Sequence, residues 1–246
     1  MAIKPILFNT EMVRAILDGR KTCTRRICKD ANEYTVPDMD FYNADKRTYA
    51  VHNFANRGHS EQLSTAERTC PICLGDILYV RETWGYPIAL NSDKQYVFRA
   101  DEVAESGFKN DSHIWHPSIH MPKEAARIWL KVTDVRVERL QSITEGGAIR
   151  EGAEGETCQH TNAGAFGCTD CMNTGWIEPP QVEFMQIWDS TIKKPDLDRY
   201  GWDANPWVWV IEFERCEKPE EKSPFAWNDA INKMFETEQE GERWED

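Results

Sequence analysis

The sequence has no apolar run near the roughly 20 residues that a membrane-spanning helix requires, and its first residues form no apolar signal region. It has no internal repeat and no overall basic charge, since the formal net charge of the 246 residues is −13 at pH 7. These absences argue against a membrane protein, a secreted protein and a protein that coats duplex DNA non-specifically. We therefore expect a cytoplasmic protein without a membrane partner, whose eight cysteines are thiols or metal ligands before they are disulfides.

Charge is unevenly distributed along the chain. Residues 1–29 contain seven Lys or Arg against two Asp or Glu, whereas residues 217–246 contain four against ten. A basic patch on an acidic protein is typical of a site for one anionic ligand rather than of a general polyanion-binding surface. We expect one domain over residues 1–216, followed by an acidic extension over 217–246 with a helix at 225–235.

The basic patch centres on residues 19–26, which read GRKTCTRR. A helix is predicted before it, at residues 12–18, because apolar residues repeat there with helical spacing and Asn9 or Thr10 can cap its start. The glycine that opens the octapeptide ends this helix, and alternating residues at 22–27 predict a strand. The patch therefore lies at a junction between a helix, a turn and a strand.

Short strands dominate the rest of the pattern, with few helices. Residues 29–69 are predicted to be a long insertion or extended loop with one strand at 48–54, and residues 155–177 form a second insertion. This content predicts an α+β fold built on a small mixed β-barrel with short flanking helices. The further predicted strands are 3–8, 76–84, 96–99, 126–137 and 206–213, and the further helices are 143–150 and 182–192.

Several motifs, taken in order, resemble the ASCH domain family of the PUA-like superfamily, in particular its larger phage and prophage branch. They cover most of residues 1–216 outside the two insertions. The resemblance implies a PUA-like small mixed β-barrel with a ligand cleft, and binding of RNA or a modified nucleoside. The motifs are G-R-K-T-x-T-x-R at 19–26, G-D-x-L-x-V-R-E-T-W at 75–84, Glu151-Gly152, Trp188-Asp189-Ser190, and W-x-x-N-P-W-V-W-V-I-E-F at 202–213.

A group of small relatives within the family hydrolyses N4-acetylcytidine to cytidine and acetate with a Lys, a Thr and a Glu. By resemblance these match Lys21, Thr24 and, counting onward from the segment 143–145, Glu151. Three functions stay open: binding of RNA or a modified nucleoside, hydrolysis of N4-acetylcytidine, and a phage accessory or morphogenetic role in which the barrel is an interaction module.

Amide hydrolysis requires a nucleophile, a proton carrier and a donor to the oxyanion. Thr24 would attack once a base takes its proton, and Lys21 can be that base if burial lowers its pKa. Glu151 would protonate the leaving amine or orient Lys21. Strand alternation places Arg26 on the face of Thr24, where it can hold a carbonyl or phosphate oxygen. The alternative is structural, because cations near a helix C-terminus stabilise the helix dipole and threonine favours strands.

Arg81, Glu82 and Trp84 end the strand predicted at 76–84, and two interpretations remain for them. Trp84 can stack on a base while Arg81 or Glu82 reads its edge. Alternatively, the first two form an ion pair on the barrel rim and Trp84 lies in the core. Within the octapeptide, Arg20 and Arg25 are expected to be peripheral to the cleft.

Cys158, His160, Cys168 and Cys171 have the composition of a closed tetrahedral zinc site. Their segment is rich in glycine and poor in apolar residues, so it requires a staple to be ordered. We expect a structural Zn²⁺ there and no organic cofactor, with a polar loop carrying incidental thiols as the alternative. The Cys-x2-Cys pair at 70–73 can join the last two of these cysteines in a four-thiolate site, although a plain loop is favoured.

Overall fold

The structure is a computed structural model that describes residues 1–29, 31, 35–54, 62–87, 95–102, 114–158 and 176–220, without the side chains of Phe41, Phe54, Gln62 and Leu63. The chain divides into Met1–Cys216 and Glu217–Asp246, and only residues 217–220 of the second unit are described. The helix predicted at 225–235 lies outside the described residues. Among the helices that are described, none combines the length and the apolar character needed to cross a membrane.

The described part of the chain is an α+β arrangement of many strands and a few short helices. The strands are β1 (Ile3–Leu7), β2 (Cys23–Ile27), β3 (Thr35–Asn43), β4 (Thr48–Phe54), β5 (Gln62–Thr69), β6 (Ile77–Arg81), β7 (Trp84–Gly85), β8 (Val97–Phe98), β9 (Trp129–Arg139), β10 (Glu156–Thr157), β11 (Trp176–Glu178) and β12 (Trp207–Cys216). The α-helices are α1 (Thr10–Leu17), α2 (Glu145–Arg150), α3 (Pro180–Thr191) and α4 (Leu197–Tyr200). Single 3-10 turns occupy Arg99–Asp101, Ser118–His120, Lys123–Ala125, Leu140–Ser142 and Lys194–Asp196.

The central sheet is mixed, with five strands in the order β1-β6-β9-β12-β2. β1 runs parallel to β6, and the remaining neighbours are antiparallel. β12 is buried on both faces, as its continuous apolar sequence predicts, with Trp209 and Ile211 in one apolar cluster and Val208 and Val210 in another. The five strands of this sheet do not close into a barrel, and the other described strands form a three-stranded sheet and two two-stranded sheets.

The expectation of an extended loop over residues 29–69 was wrong. β3, β4 and β5 form an antiparallel three-stranded sheet, in which only β4 was predicted. Tyr49 and Val51 of β4 are buried in the main core, and the Tyr49 ring meets the Trp209 ring edge-on at 4.9 Å between centroids. β5 carries few apolar residues, and the apolar residues of β3 do not alternate regularly along the strand, so hydrophobic periodicity does not reveal the two strands that pair with β4.

The helix boundaries near the basic patch follow the predicted capping chemistry. The Asn9 side chain accepts a hydrogen bond from Met12 N at 2.8 Å, which fixes the start of α1. Gly19 follows α1 with a positive φ of 79° and turns the chain toward β2. Thr144 caps α2 in the same way through Gly147 N at 3.1 Å. These two helix ends bring the residues of the predicted site toward each other.

Candidate functional site

Lys21 lies in the turn between α1 and β2 and points into the protein. Its backbone N–H donates to Ala15 O at 2.9 Å, which holds the turn against α1. Its side chain has no exposed surface, and its Nζ donates to Glu151 Oε2 at 2.5 Å and to the Glu151 backbone carbonyl at 2.8 Å. Two of the three residues that the family resemblance proposes as catalytic, Lys21 and Glu151, are therefore in direct contact.

Glu151 directly follows α2, and the next residue turns the chain away from it. Gly152 has a φ of 96°, a left-handed conformation that ends the helix. A Cβ at Gly152 would lie 3.1 Å from the Ala15 side chain, so a larger residue would push α2 away from α1. The glycine of the Glu151-Gly152 motif thus allows α2 to approach α1 closely enough for Lys21 to reach the carboxylate.

A second cation completes this buried cluster. Arg25 Nη1 donates to Glu151 Oε1 at 3.2 Å, and Arg25 Nη2 donates to Glu138 Oε1 at 2.6 Å. The Arg25 side chain is 3% exposed, so the expectation that it is peripheral was wrong. Arg20 is peripheral as expected, because its partly exposed guanidinium pairs with Asp18 and Glu154 at the surface.

Burial dominates the electrostatics of the cluster. Burial lowers the pKa of Lys21, while the Glu151 carboxylate acts in the opposite direction. The pKa of Arg26 is lowered for the same reason, with Glu151 again opposing. Burial also raises the pKa of the Cys23 thiol to about 12, so this cysteine is a neutral packing residue at pH 7. Because the pKa of Lys21 is lowered, its neutral amine form is more populated at a given pH than that of an exposed lysine.

Thr24 and Arg26 occupy the same face of β2, opposite Ile211 and Trp209 of β12. Thr24 is buried, and its Oγ1 has no hydrogen-bond partner among the described residues. Arg26 donates to the backbone carbonyls of Arg25 and Leu7 at 3.1 and 3.0 Å. The buried hydroxyl of Thr24 is thus an unused hydrogen-bonding group next to a fixed guanidinium.

One cavity of about 320 Å³, here named the Glu151 cavity, opens beside this cluster. Arg25, Arg26 and Glu151 border it on one side, and Phe184 and Trp188 of α3 border it on the other. Lys21 and Thr24 are not among its described lining residues, and Lys21 contacts the lining through Glu151. The described residues that line it are Leu7, Asn9, Met12, Arg25, Arg26, Ile27, Glu151, Phe184, Ile187, Trp188, Thr191 and Ile192.

Arg81, Glu82 and Trp84 do not border the Glu151 cavity. Arg81 donates to the backbone carbonyls of Met121, at 2.9 Å, and Ile119. Glu82 is buried and accepts two hydrogen bonds from Arg127, both at 3.0 Å, instead of pairing with Arg81. Burial raises the pKa of Glu82, and Arg127 opposes that change.

Trp84 is a core residue, as its structural interpretation predicts. It is 5% exposed, and its ring lies among those of Tyr86, Tyr96 and His116 at centroid distances of 5.2, 5.6 and 4.9 Å. Stacking of Trp84 on a ligand base would require one of these rings to move away.

Only Cys158 of the predicted zinc ligands is described, and His160, Cys168 and Cys171 lie outside the described residues. No group of three or more metal-ligating side chains occurs in the described part of the chain. Cys70 and Cys73 are both buried, and each thiol donates to a backbone carbonyl, of Ile72 at 2.8 Å and of Cys70 at 3.5 Å. These contacts are those of a structural turn.

The zinc site therefore stays a prediction, and metal analysis tests it. Purified protein should contain close to one zinc per chain, and a strong chelator should release it. A double replacement of Cys168 and Cys171 by serine should abolish the bound zinc, whereas the same replacement of Cys70 and Cys73 should leave it unchanged. A zinc content below about half an equivalent would contradict a closed four-ligand site.

Sequence reasoning missed the roles of Arg25 and of the aromatic residues in the helix predicted at 182–192, although the sequence contains signals for both. Arg25 belongs to the octapeptide, but it is on the opposite strand face from Thr24, where the ring of Phe184 lies 5.7 Å from its guanidinium carbon. The apolar face of the helix predicted at 182–192 supplied the aromatic wall, although its position opposite β2 depends on tertiary packing.

No family model, curated protein or solved structure matches the chain, so the resemblance to the ASCH family stays a prediction.

Proposed function

We propose that the protein binds RNA or a modified nucleoside in the Glu151 cavity. One observation carries this proposal: a cavity of about 320 Å³ is bordered by the buried Arg25 and Glu151, by the half-buried Arg26, and by the aromatic side chains of Phe184 and Trp188. That volume lies within the range of small-molecule sites. Guanidinium donors and a carboxylate acceptor can contact the edge of a base, while Phe184 and Trp188, which are 3% and 6% exposed, form an apolar wall beside it. The same proposal assigns the mixed sheet to a PUA-like domain of the cytoplasm.

The charged wall has hydrogen-bonding capacity left for a ligand. A carboxylate offers about four lone-pair positions, and Lys21 and Arg25 each use one oxygen of Glu151. A free position can accept a hydrogen bond from an exocyclic amino group, as acidic side chains do with cytosine. An arginine beside it can donate to a ring carbonyl. This pairing favours a base that carries an amino group close to a carbonyl oxygen.

Hydrolysis of N4-acetylcytidine is a second candidate, and the buried Thr24 hydroxyl without a partner favours it. In this reaction Thr24 Oγ attacks the acetyl carbonyl and the neutral Lys21 amine accepts its proton. The C–N bond then breaks, the leaving amine takes a proton, and water releases acetate from the enzyme. Binding ranks first because Lys21 and Thr24 do not border the cavity, so a substrate in the cavity would reach them only after a rearrangement of the site.

Blocking the cavity tests the binding function. Thr191 is an exposed wall residue at the end of α3, so Thr191→Trp should fill the cavity without removing core contacts. We expect cytidine and N4-acetylcytidine to bind at least about tenfold more weakly to this variant in calorimetric titrations. Ser190→Trp is the matched control, because Ser190 is exposed and does not line the cavity. Equal affinity of the wild type and Thr191→Trp would exclude this cavity as the site.

Following the absorbance of N4-acetylcytidine over time in the presence of the protein separates binding from turnover. Thr24→Val removes a hydroxyl that has no described partner, so it should leave the free energy of unfolding nearly unchanged. If hydrolysis occurs through Thr24, this variant and Lys21→Ala should each lose at least about 100-fold in rate. Wild-type turnover by Thr24→Val would contradict that role. A protein that neither binds nor cleaves the nucleoside would instead be an interaction module.

A further inference from the structure

A second cavity, here named the Trp207 cavity, lies where the end of β9 and the start of β12 meet α4. Its volume is about 380 Å³, and its lining includes Arg139, Arg199, Tyr200 and Trp207. It shares no lining residue with the Glu151 cavity. The motif at 202–213 runs through it, but neither proposed activity uses these residues.

An asparagine–proline turn holds this cavity in shape. Asn205 has a φ of 45°, a left-handed conformation that asparagine tolerates better than most residues. Its side-chain oxygen accepts a hydrogen bond from Gln141 N at 2.9 Å, and its backbone carbonyl accepts one from Arg139 Nη1 at 3.1 Å. Pro206 O accepts from Leu140 N at 3.0 Å. Arg139 and the start of β12 are therefore fixed relative to each other.

Two arginine side chains in the lining of this cavity stack on aromatic rings and offer N–H groups as hydrogen-bond donors. The guanidinium carbon of Arg139 lies 4.5 Å from the centre of the Trp207 ring, and that of Arg199 lies 4.9 Å from the centre of the Tyr200 ring. Stacking of this kind holds a guanidinium in place while its N–H groups stay available. Asp198, which is exposed, is the single acidic side chain in the described lining.

Trp207 supplies an observation that points to a missing acceptor. Its indole Nε1 is buried and has no hydrogen-bond partner in the described part of the chain. Buried indole N–H groups normally have a partner, because an unsatisfied donor costs about 1–3 kcal/mol. Because Nε1 has almost no exposed surface, an acceptor atom in the cavity that Trp207 borders would satisfy this donor after the indole ring turns toward it.

We propose that the Trp207 cavity binds a phosphate group. Arginine donors form paired, charge-assisted hydrogen bonds with phosphate oxygens, and the indole N–H adds a neutral donor. Among the described lining residues, the two arginines and Asp198 give a net charge of +1, in a chain whose net charge is −13. The phosphate belongs either to a small nucleotide or to a nucleic-acid backbone. This inference does not depend on the function proposed for the Glu151 cavity.

Titration of the full-length protein with inorganic phosphate at low ionic strength tests the site. The Trp207 indole N–H resonance in 1H–15N NMR spectra is assigned by its loss in Trp207→Phe. We expect this resonance to shift saturably, with affinity that falls as salt is added. Arg199→Gln should weaken binding at least about fivefold, since one charge-assisted contact is lost. Asp198→Asn should strengthen binding, because it removes a negative charge from the lining.

Arg215→Gln is the matched control, because Arg215 is exposed on β12, lies outside the lining and carries the same charge. It should bind phosphate as the wild type does. Equal weakening by Arg199→Gln and Arg215→Gln, or an indole resonance that phosphate does not shift, would overturn the proposal. Competition by adenosine 5′-monophosphate would identify a small nucleotide as the source, and competition only by RNA without terminal phosphates would identify a backbone. Nucleosides without phosphate test the Glu151 cavity alone, so the two proposals fail separately.

Discussion

Replacing Glu151 with alanine is expected to lower the free energy of unfolding by about 3–5 kcal/mol. Its carboxylate accepts hydrogen bonds from Lys21, whose side chain has no exposed surface, and from Arg25, which is 3% exposed. Removing it leaves Lys21 without a carboxylate and Arg25 with Glu138 alone. An uncompensated buried cation is costly, because the surrounding protein solvates it far less well than water does. Urea denaturation followed by tryptophan fluorescence measures this loss.

Two further variants separate the buried cluster from a general effect of lost charge. Glu154→Ala should change the free energy of unfolding by less than about 0.5 kcal/mol, because Glu154 is 66% exposed and pairs with Arg20 at the surface. Adding Lys21→Met to Glu151→Ala should restore at least about 1 kcal/mol, since it removes the unpaired cation and keeps an apolar side chain. Equal effects of Glu151→Ala and Glu154→Ala would show that the cluster is not buried in solution.

The contact between Lys21 and Glu151 could be anticipated because local signals fixed both of its ends. Asn9 and Gly19 bound the first helix, and Thr144 caps the second, so each residue is placed by capping chemistry that single residues specify. The expectation that these two helix ends lie together came from the resemblance, whose ordered motifs place Lys21 and Glu151 in one site. The hydrogen bonds of the cluster then depend on Gly152, which allows the two helices to approach closely.

Other parts of the site were hidden because they depend on long-range packing. Arg25 lies on the face of β2 opposite to that of Thr24. This face becomes a charged wall only because α3 and Glu138 pack against it. Glu82 was expected to face a ligand or pair with its neighbour Arg81, but it pairs with Arg127, which is distant in sequence. A buried carboxylate pairs with whichever cation the fold brings near it, and sequence proximity does not determine that choice.

Asp76→Asn is the second change expected to have a large effect, lowering the free energy of unfolding by about 2–4 kcal/mol at pH 7. The Asp76 side chain has no exposed surface, and it forms ion pairs with Arg47 and with Lys4, the latter at 3.1 Å. It also accepts hydrogen bonds from the backbone N–H groups of Ala2 at 2.9 Å and Cys73 at 3.1 Å. One carboxylate therefore ties together the N-terminus, the sheet of β3–β5 and the turn before β6. An amide would present an NH₂ group to these donors.

The pH dependence distinguishes the charge of Asp76 from its shape. Burial alone would raise the pKa of Asp76, but the hydrogen bonds from Arg47, Ala2, Cys73 and Lys4 hold it well below its usual range. Above about pH 5 the carboxylate is ionised in both states, so its stabilising contribution is complete. As the pH falls further, the unfolded chain binds the proton first and this contribution is lost. The difference in unfolding free energy between the wild type and Asp76→Asn should therefore shrink below about pH 5. Asp134→Asn, a change at a residue 52% exposed, should show a small difference at every pH, and a pH-independent Asp76→Asn effect would contradict the charge as its origin.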